Sequence, residues 1–338
     1  MHSNLVTIWL WTAVACSAGQ DGLPASGASP GTWLERLLLA TDATDAAHYE
    51  AARSILLELI KDADGPGPER ERLPVLWNQM AMVDYGTGRY LDAERWFERA
   101  LAAARKMNSP SGVTLQVLNG MLLLCIDTGR FDKAEAVAAR FESALREATA
   151  VDPRALAHYR ADLGALYISQ RRHLEAGQLL AAAIEEAERQ LGPEHLAVTG
   201  LLQQYGVNAL VQAKWTDAIA CFERTLKTTR HLLGPEHPGT ARQMNNLAIA
   251  YRHAGRVTEA EALARQAAAV FENRLGPDHP YVADALQEQA ATLRKLKRAG
   301  EARALERRAQ LIRRKCDRDN LLGGTVGAGE LALRNSHH

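Results

Sequence analysis

Aromatic residues are scarce, at 6% of 338 residues. Alternating runs of Val, Ile, Thr and Tyr are missing too, which excludes a fold built from strands. Cysteine is rare. Cys16, Cys125, Cys221 and Cys316 are too widely spaced for a disulfide framework. Cys125 and Cys221 fall among apolar neighbours in helical patterns and read as small buried hydrophobes. Charge of one sign is absent as well. Lys+Arg 40 balance Asp+Glu 40, so no global field draws the chain to nucleic acid. There is no HExxH, CxxC, GxSxG or phosphate loop. No catalytic residue, cofactor or metal site is expected, and the chain is not expected to be an enzyme.

Long hydrophobic runs are lacking with one exception. Leu5 to Ala15 (LVTIWLWTAVA) has the length of an export signal and is short for a bilayer span. Residues 1–18 are therefore expected to be a signal peptide, and the chain to be exported, periplasmic or secreted. A lipoprotein signal acylated at Cys16 is the alternative. Residues 19–31 (GQDGLPASGASPG) form a Gly/Ser/Pro linker. Residues 317–338, with the glycine-rich Gly323–Gly329, read as a flexible tail.

What is present in abundance is repetition. LGPEH at Leu191–His195 recurs as LGPEHP at Leu233–Pro238 and LGPDHP at Leu275–Pro280, 42 residues apart each time. A fixed period of this size marks a stacked repeat. TGRFDKAEA at Thr128–Ala136 and TGRYLDAERWFERAL at Thr87–Leu101 repeat the same phrase upstream. Each unit carries two helical patterns around a short break. Seven hairpins follow, at about 32–62, 69–107, 111–148, 153–190, 195–232, 237–274 and 279–316. The fold class is all-α, a solenoid over residues 32–316. Small residues recur past each break at Ala93, Ala134, Ala176, Ala218, Ala260 and Ala302, where two helices must approach closely. Leu-Gly closes the second helix at Leu191-Gly192, Leu233-Gly234 and Leu275-Gly276, with glycine expected in a left-handed cap. Pro238 and Pro280 suit the first turn of the next helix. His195, His237 and His279 lie one hairpin apart at these turns and read as caps; zinc would need four converging ligands.

The stretch NNLAIAYRHAGRVTEAEALARQA (Asn245–Ala267) resembles a tetratricopeptide repeat, and the 42-residue unit with GPEHP resembles the kinesin-light-chain subtype. In the second hairpin Trp77, Met80, Ala81, Gly88, Tyr90, Ala93, Phe97 and Ala100 match the ordinary repeat signature. The resemblance covers about residues 70–315. Departures are Arg171, Ala213 and Lys297 in place of the break glycine, and Cys125, Ala209 and Leu293 in place of tyrosine. The resemblance implies a right-handed superhelix whose concave face is lined by first helices and binds a peptide or partner protein.

On that implied face the candidate partner-binding residues are Gln203, Gln204, Arg242, Asn245, Asn246, Arg252, Gln287 and Arg294. Gln116, Asn119, His158, Asp162 and Asp284 hold related positions. Asn246 matches the family's groove asparagine; Gln204 and Glu288 stand at its counterparts. Stacked amides suit a bound strand because each offers both a donor and an acceptor. The chain is thus expected to be an interaction scaffold. The final helix is basic, with Arg303, Arg307, Arg308, Arg313 and Arg314 expected to point outward, which suggests association with a membrane surface as a second reading.

Overall fold

The computed structural model describes residues 32–45, 48–65, 67–107, 111–148 and 151–321. The expected signal peptide, the linker and the glycine-rich stretch lie outside these residues. Among the described residues there are fourteen α-helices and no strand, arranged as seven hairpins. They are α1 (Trp33–Asp45) with α2 (Tyr49–Ala63), α3 (Leu73–Gly86) with α4 (Tyr90–Lys106), and α5 (Ser111–Asp127) with α6 (Phe131–Glu147). Then come α7 (Pro153–Ser169) with α8 (His173–Leu191), α9 (Leu196–Val211) with α10 (Trp215–Leu233), α11 (Pro238–His253) with α12 (Val257–Leu275), and α13 (Pro280–Lys295) with α14 (Ala299–Leu321). No described helix is long and apolar enough to cross a membrane.

Two compact units are present, one carrying α1–α6 apart from the α5–α6 turn, the other α7–α14. In the first, α1, α2 and α3 share a core around Leu56, Leu73, Leu76 and Met80. Gly120 lets α5 close on Phe97 of α4: a β-carbon there would lie 2.5 Å from the ring. Asp84 is fully buried at the end of α3, where Arg53, Arg89 and the Trp96 indole N–H surround it. Burial still pushes its carboxyl above the ordinary range.

In the second unit one core runs from Ala157 in α7 to Ile312 in α14. The recurrent small residues are seams in both units. Ala93, Ala134, Ala176, Ala218, Ala260 and Ala302 are all 0% exposed across the two units, as close helix approach requires. Cys125 is buried and Cys221 half-buried, both as free thiols; burial pushes the Cys221 thiol up to about 11.

The turns follow from local chemistry, with one correction. His195, His237 and His279 each cap a first helix. Their Nδ1 atoms accept from the backbone N–H two residues on, at 3.1, 3.0 and 3.2 Å. Pro238 and Pro280 occupy the first helical turn, where the missing N–H costs nothing. Gly192, Gly234 and Gly276 do not take the left-handed helical conformation expected of them. They sit at φ 88–90° and ψ 154–162°, an extended mirror region open essentially to glycine alone. The left-handed conformation occurs instead inside the six hairpins from α3–α4 to α13–α14. Gly88, Gly129 and Gly255 adopt it without strain, while Arg171, Ala213 and Lys297 are forced into it at φ 62°, 58° and 62°.

Candidate partner-binding face

The expected site divides on inspection. Gln203 and Gln204, each 1% exposed, belong to the interior, which corrects their placement on an open wall. The reason is the helix that carries them. LAVTGLLQQYGVNALV is apolar nearly all round, and a helix of that kind is buried on every side. α7 offers Ala157 and Ala161 and packs directly on α9, while α8 and α10 cover the rest. Gln203 then serves the core. Its Oε1 accepts from Gln243 Nε2 of α11, and Gln243 Oε1 accepts from Thr225 Oγ1 of α10 at 3.2 Å. This chain of polar groups ties three helices together inside the protein.

The α11 and α13 residues fare differently. Arg242, Asn245, Arg252 and Gln287 are half-buried, Arg294 is exposed, and Asn246 is 8% exposed. α11 and α13 touch each other less closely than α7 and α9 do, so their facing sides stay partly open. Asn245 and Gln287 occupy the same register one repeat apart. Asn245 Oδ1 and Gln287 Oε1 are shielded from solvent and have no hydrogen-bond partner among the described residues; the same holds for Asn246 Nδ2. Unmet buried polar atoms are costly, and clusters of them call for a missing partner.

Two arginines on this face, Arg252 and Arg294, are engaged. Arg252 forks onto Glu288, with Nε to Oε1 at 2.6 Å and Nη2 to Oε2 at 3.0 Å. Glu288 is 7% exposed, and burial raises its carboxyl above the ordinary range against the pull of Arg252. Arg294 forks onto Glu306 of α14 at 2.6 and 2.7 Å. At the other end of this unit's first helices, burial and the neighbouring His195 hold the half-buried His158 down to about 4.

α14 also departs from expectation. Arg308 pairs with Glu272 of α12 and Arg313 with Asp284 of α13, so the first ties the last hairpin to the one before it and the second ties α14 to its own partner helix, instead of both pointing outward. Arg303, Arg307 and Arg314 remain exposed beside Leu311, which is 64% exposed. Ala302, Ala309 and Ile312 pack inward as their spacing implied; the Cys316 side chain lies outside the described set. Sequence reasoning missed Gln243, whose signal was available: it sits one residue ahead of the apolar stripe of α11, facing Thr225 of the preceding repeat.

A tetratricopeptide repeat family model matches residues 72–147, 197–273 and 242–315, together more than half of the chain. Among curated proteins no sequence match is found. Several solved structures are similar. BtubC (BKLC) from P. vanneervenii is 20% identical, with a TM-score of 0.53 over 70% of this chain and 92% of that one. A Podosopora anserina putative kinesin light chain with nearly identical TPR-like repeats is 20% identical, with a TM-score of 0.47 over 60% of this chain and 97% of that one. A Rap protein complexed with Competence and Sporulation Factor is 12% identical, with a TM-score of 0.62 over 83% of this chain and 77% of that one. At these identities the likeness speaks for the fold. The repeat period, the helical hairpins and the family match agree: this chain belongs to the tetratricopeptide repeat family.

Proposed function

We propose that the protein is a non-enzymatic scaffold that holds an extended segment of a partner protein along α11 and α13. One observation carries this reading: Asn245 and Gln287, one repeat apart in the same register, each keep a shielded acceptor with no partner among the described residues. An extended chain crossing the two helices would supply backbone N–H groups to both. Because the helices are already packed, little ordering is left to oppose binding. A protein of similar fold is complexed with Competence and Sporulation Factor, which supports a ligand-holding role for the architecture. The test is a pull-down with the wild-type chain and an Asn245→Ala/Gln287→Ala variant whose helicity and melting match wild type. Selective loss of one partner is expected. Equal recovery of every partner would refute the face.

A second reading places the scaffold at a membrane after export. Its support is the exposed Arg303, Arg307 and Arg314 around Leu311, together with the apolar Leu5–Ala15 ahead of Cys16 in the sequence. Mass spectrometry of the mature N-terminus decides it. A diacylglyceryl group on Cys16 supports tethering, and an unmodified N-terminus past Cys16 removes that anchor.

A further inference from the structure

Ala209 stands where both neighbouring repeats carry a tyrosine, Tyr167 and Tyr251, 42 residues to either side. Each of those rings packs on the core and lies beneath a cation. The Arg172 guanidinium carbon is 4.0 Å from the centre of the Tyr167 ring, and that of Arg256 is 3.8 Å from the centre of Tyr251. The Tyr251 hydroxyl donates to Glu223 of α10 at 2.6 Å. One repeat earlier, between α8 and α9, each of these groups gives way to a smaller one. Ala209 replaces Tyr251, Ala181 replaces Glu223, and Gly177 replaces Ile219. What results is a cavity of about 280 Å³ between α8, α9 and the start of α10, whose lining includes these three residues with His173, Lys214 and Asp217.

The polar groups of the cavity suit a ring that carries a hydroxyl. Lys214 holds the turn position of Arg172 and Arg256. Those arginines are forked onto Glu175 and Glu259, whereas Lys214, with the shorter Asp217 three residues on, forms no ion pair among the described residues. Its ammonium is left for the face of a π system. His173 is held by Asn208, which is 3% exposed. Asn208 Nδ2 donates to the His173 carbonyl at 2.9 Å, and its Oδ1 lies 3.2 Å from His173 Nδ1. With Oδ1 accepting, Nδ1 carries the proton, and Nε2 is an acceptor for a hydroxyl.

We propose that this cavity binds a small molecule with a single phenolic ring. The ring takes the place that tyrosine fills in the adjoining repeats, with Lys214 over its face and His173 at its hydroxyl. The volume falls just under the usual ligand-pocket range of about 300–1,000 Å³, which fits one ring with its substituents. The site is built by α8, α9 and α10 and is separate from the face along α11 and α13.

The experiment titrates p-cresol into the full chain and follows binding by calorimetry and NMR. A Kd of about 1 mM or tighter is expected. 4-Methylcyclohexanol has nearly the same shape without the π face and should bind about two- to fivefold more weakly. Toluene lacks the hydroxyl and should bind about two- to tenfold more weakly. Ala209→Tyr restores the neighbours' ring and should abolish p-cresol binding while the melting temperature holds or rises. Should that variant fold poorly, Ala181→Leu fills the cavity from a half-buried position instead and should weaken binding by about tenfold or more. Failure of p-cresol to bind, equal binding of either analogue, or undiminished p-cresol binding in a well-folded Ala209→Tyr or Ala181→Leu chain would overturn the assignment.

Discussion

Ala213 is the most direct probe of how this array stores strain. It occupies the hairpin turn between α9 and α10 at φ 58°, where Gly255 stands one repeat later at φ 84°. The surrounding hydrogen bonds are the same in kind. Ala213 N–H donates to the Leu210 carbonyl at 3.1 Å and Lys214 N–H to that of Ala209 at 2.9 Å; Gly255 and Arg256 do likewise with Arg252 and Tyr251 at 3.3 and 2.8 Å. Ala213 is exposed, so removing its methyl group deletes no packing. A non-glycine residue in the left-handed region costs about 1–2 kcal/mol. Glycine gives back about 0.4–1 kcal/mol through the greater freedom of the unfolded chain. Ala213→Gly should therefore stabilise the protein by about 0.5–1 kcal/mol net, which raises the melting temperature by about 1–4 °C for a unit of this size. The reverse change, Gly255→Ala, meets no atom within 4 Å of the new β-carbon. It should cost a similar amount through backbone strain alone. Thermal and urea melts of both variants provide the measurement. A lower midpoint for Ala213→Gly, or a higher one for Gly255→Ala, would refute the reasoning.

Three further outcomes are expected. Gly234→Ala adds a β-carbon that touches nothing, yet φ 89° and ψ 162° are barred to alanine; a loss of about 1–3 kcal/mol in urea unfolding is expected. Ala260, 0% exposed, sits where two helices meet, and Ala260→Trp should lower the melting temperature through an overpacking cost of about 1–3 kcal/mol or more. Burial holds His279 down to about 4 against an ordinary value of 6.5. Between those values the unfolded chain binds the extra proton, so the stabilisation is complete above pH 6.5 and is lost as pH falls to about 4. Its size is about 3 kcal/mol. His279→Asn keeps a good cap without this titration, so urea melts from pH 7 to 4 should show a shallower loss for the variant.

Much of the architecture could be read before any coordinates, because the features that set it are local. The 42-residue period, the buried alanines from Ala93 to Ala302 and the prolines at Pro238 and Pro280 act within a turn or a hairpin. Each repeats its instruction independently of what lies further along the chain. The histidine caps are local in the same sense, since the Nδ1 atoms of His195, His237 and His279 reach only two residues ahead.

Which polar residues remain open was decided by tertiary packing. Gln203 and Asn245 share a register and nearly the same chemistry. Gln203 is sealed because alanines on α7 let that helix close on α9, whereas Asn245 stays half-buried because α11 and α13 stand further apart. The charge of the face depended on pairings between helices, such as Arg252 with Glu288, 36 residues apart. Letters and spacing establish which side chains a helix turns toward the next repeat. How near that neighbour comes depends on the volumes of both surfaces together, and this separates a core amide from one that can hold a partner.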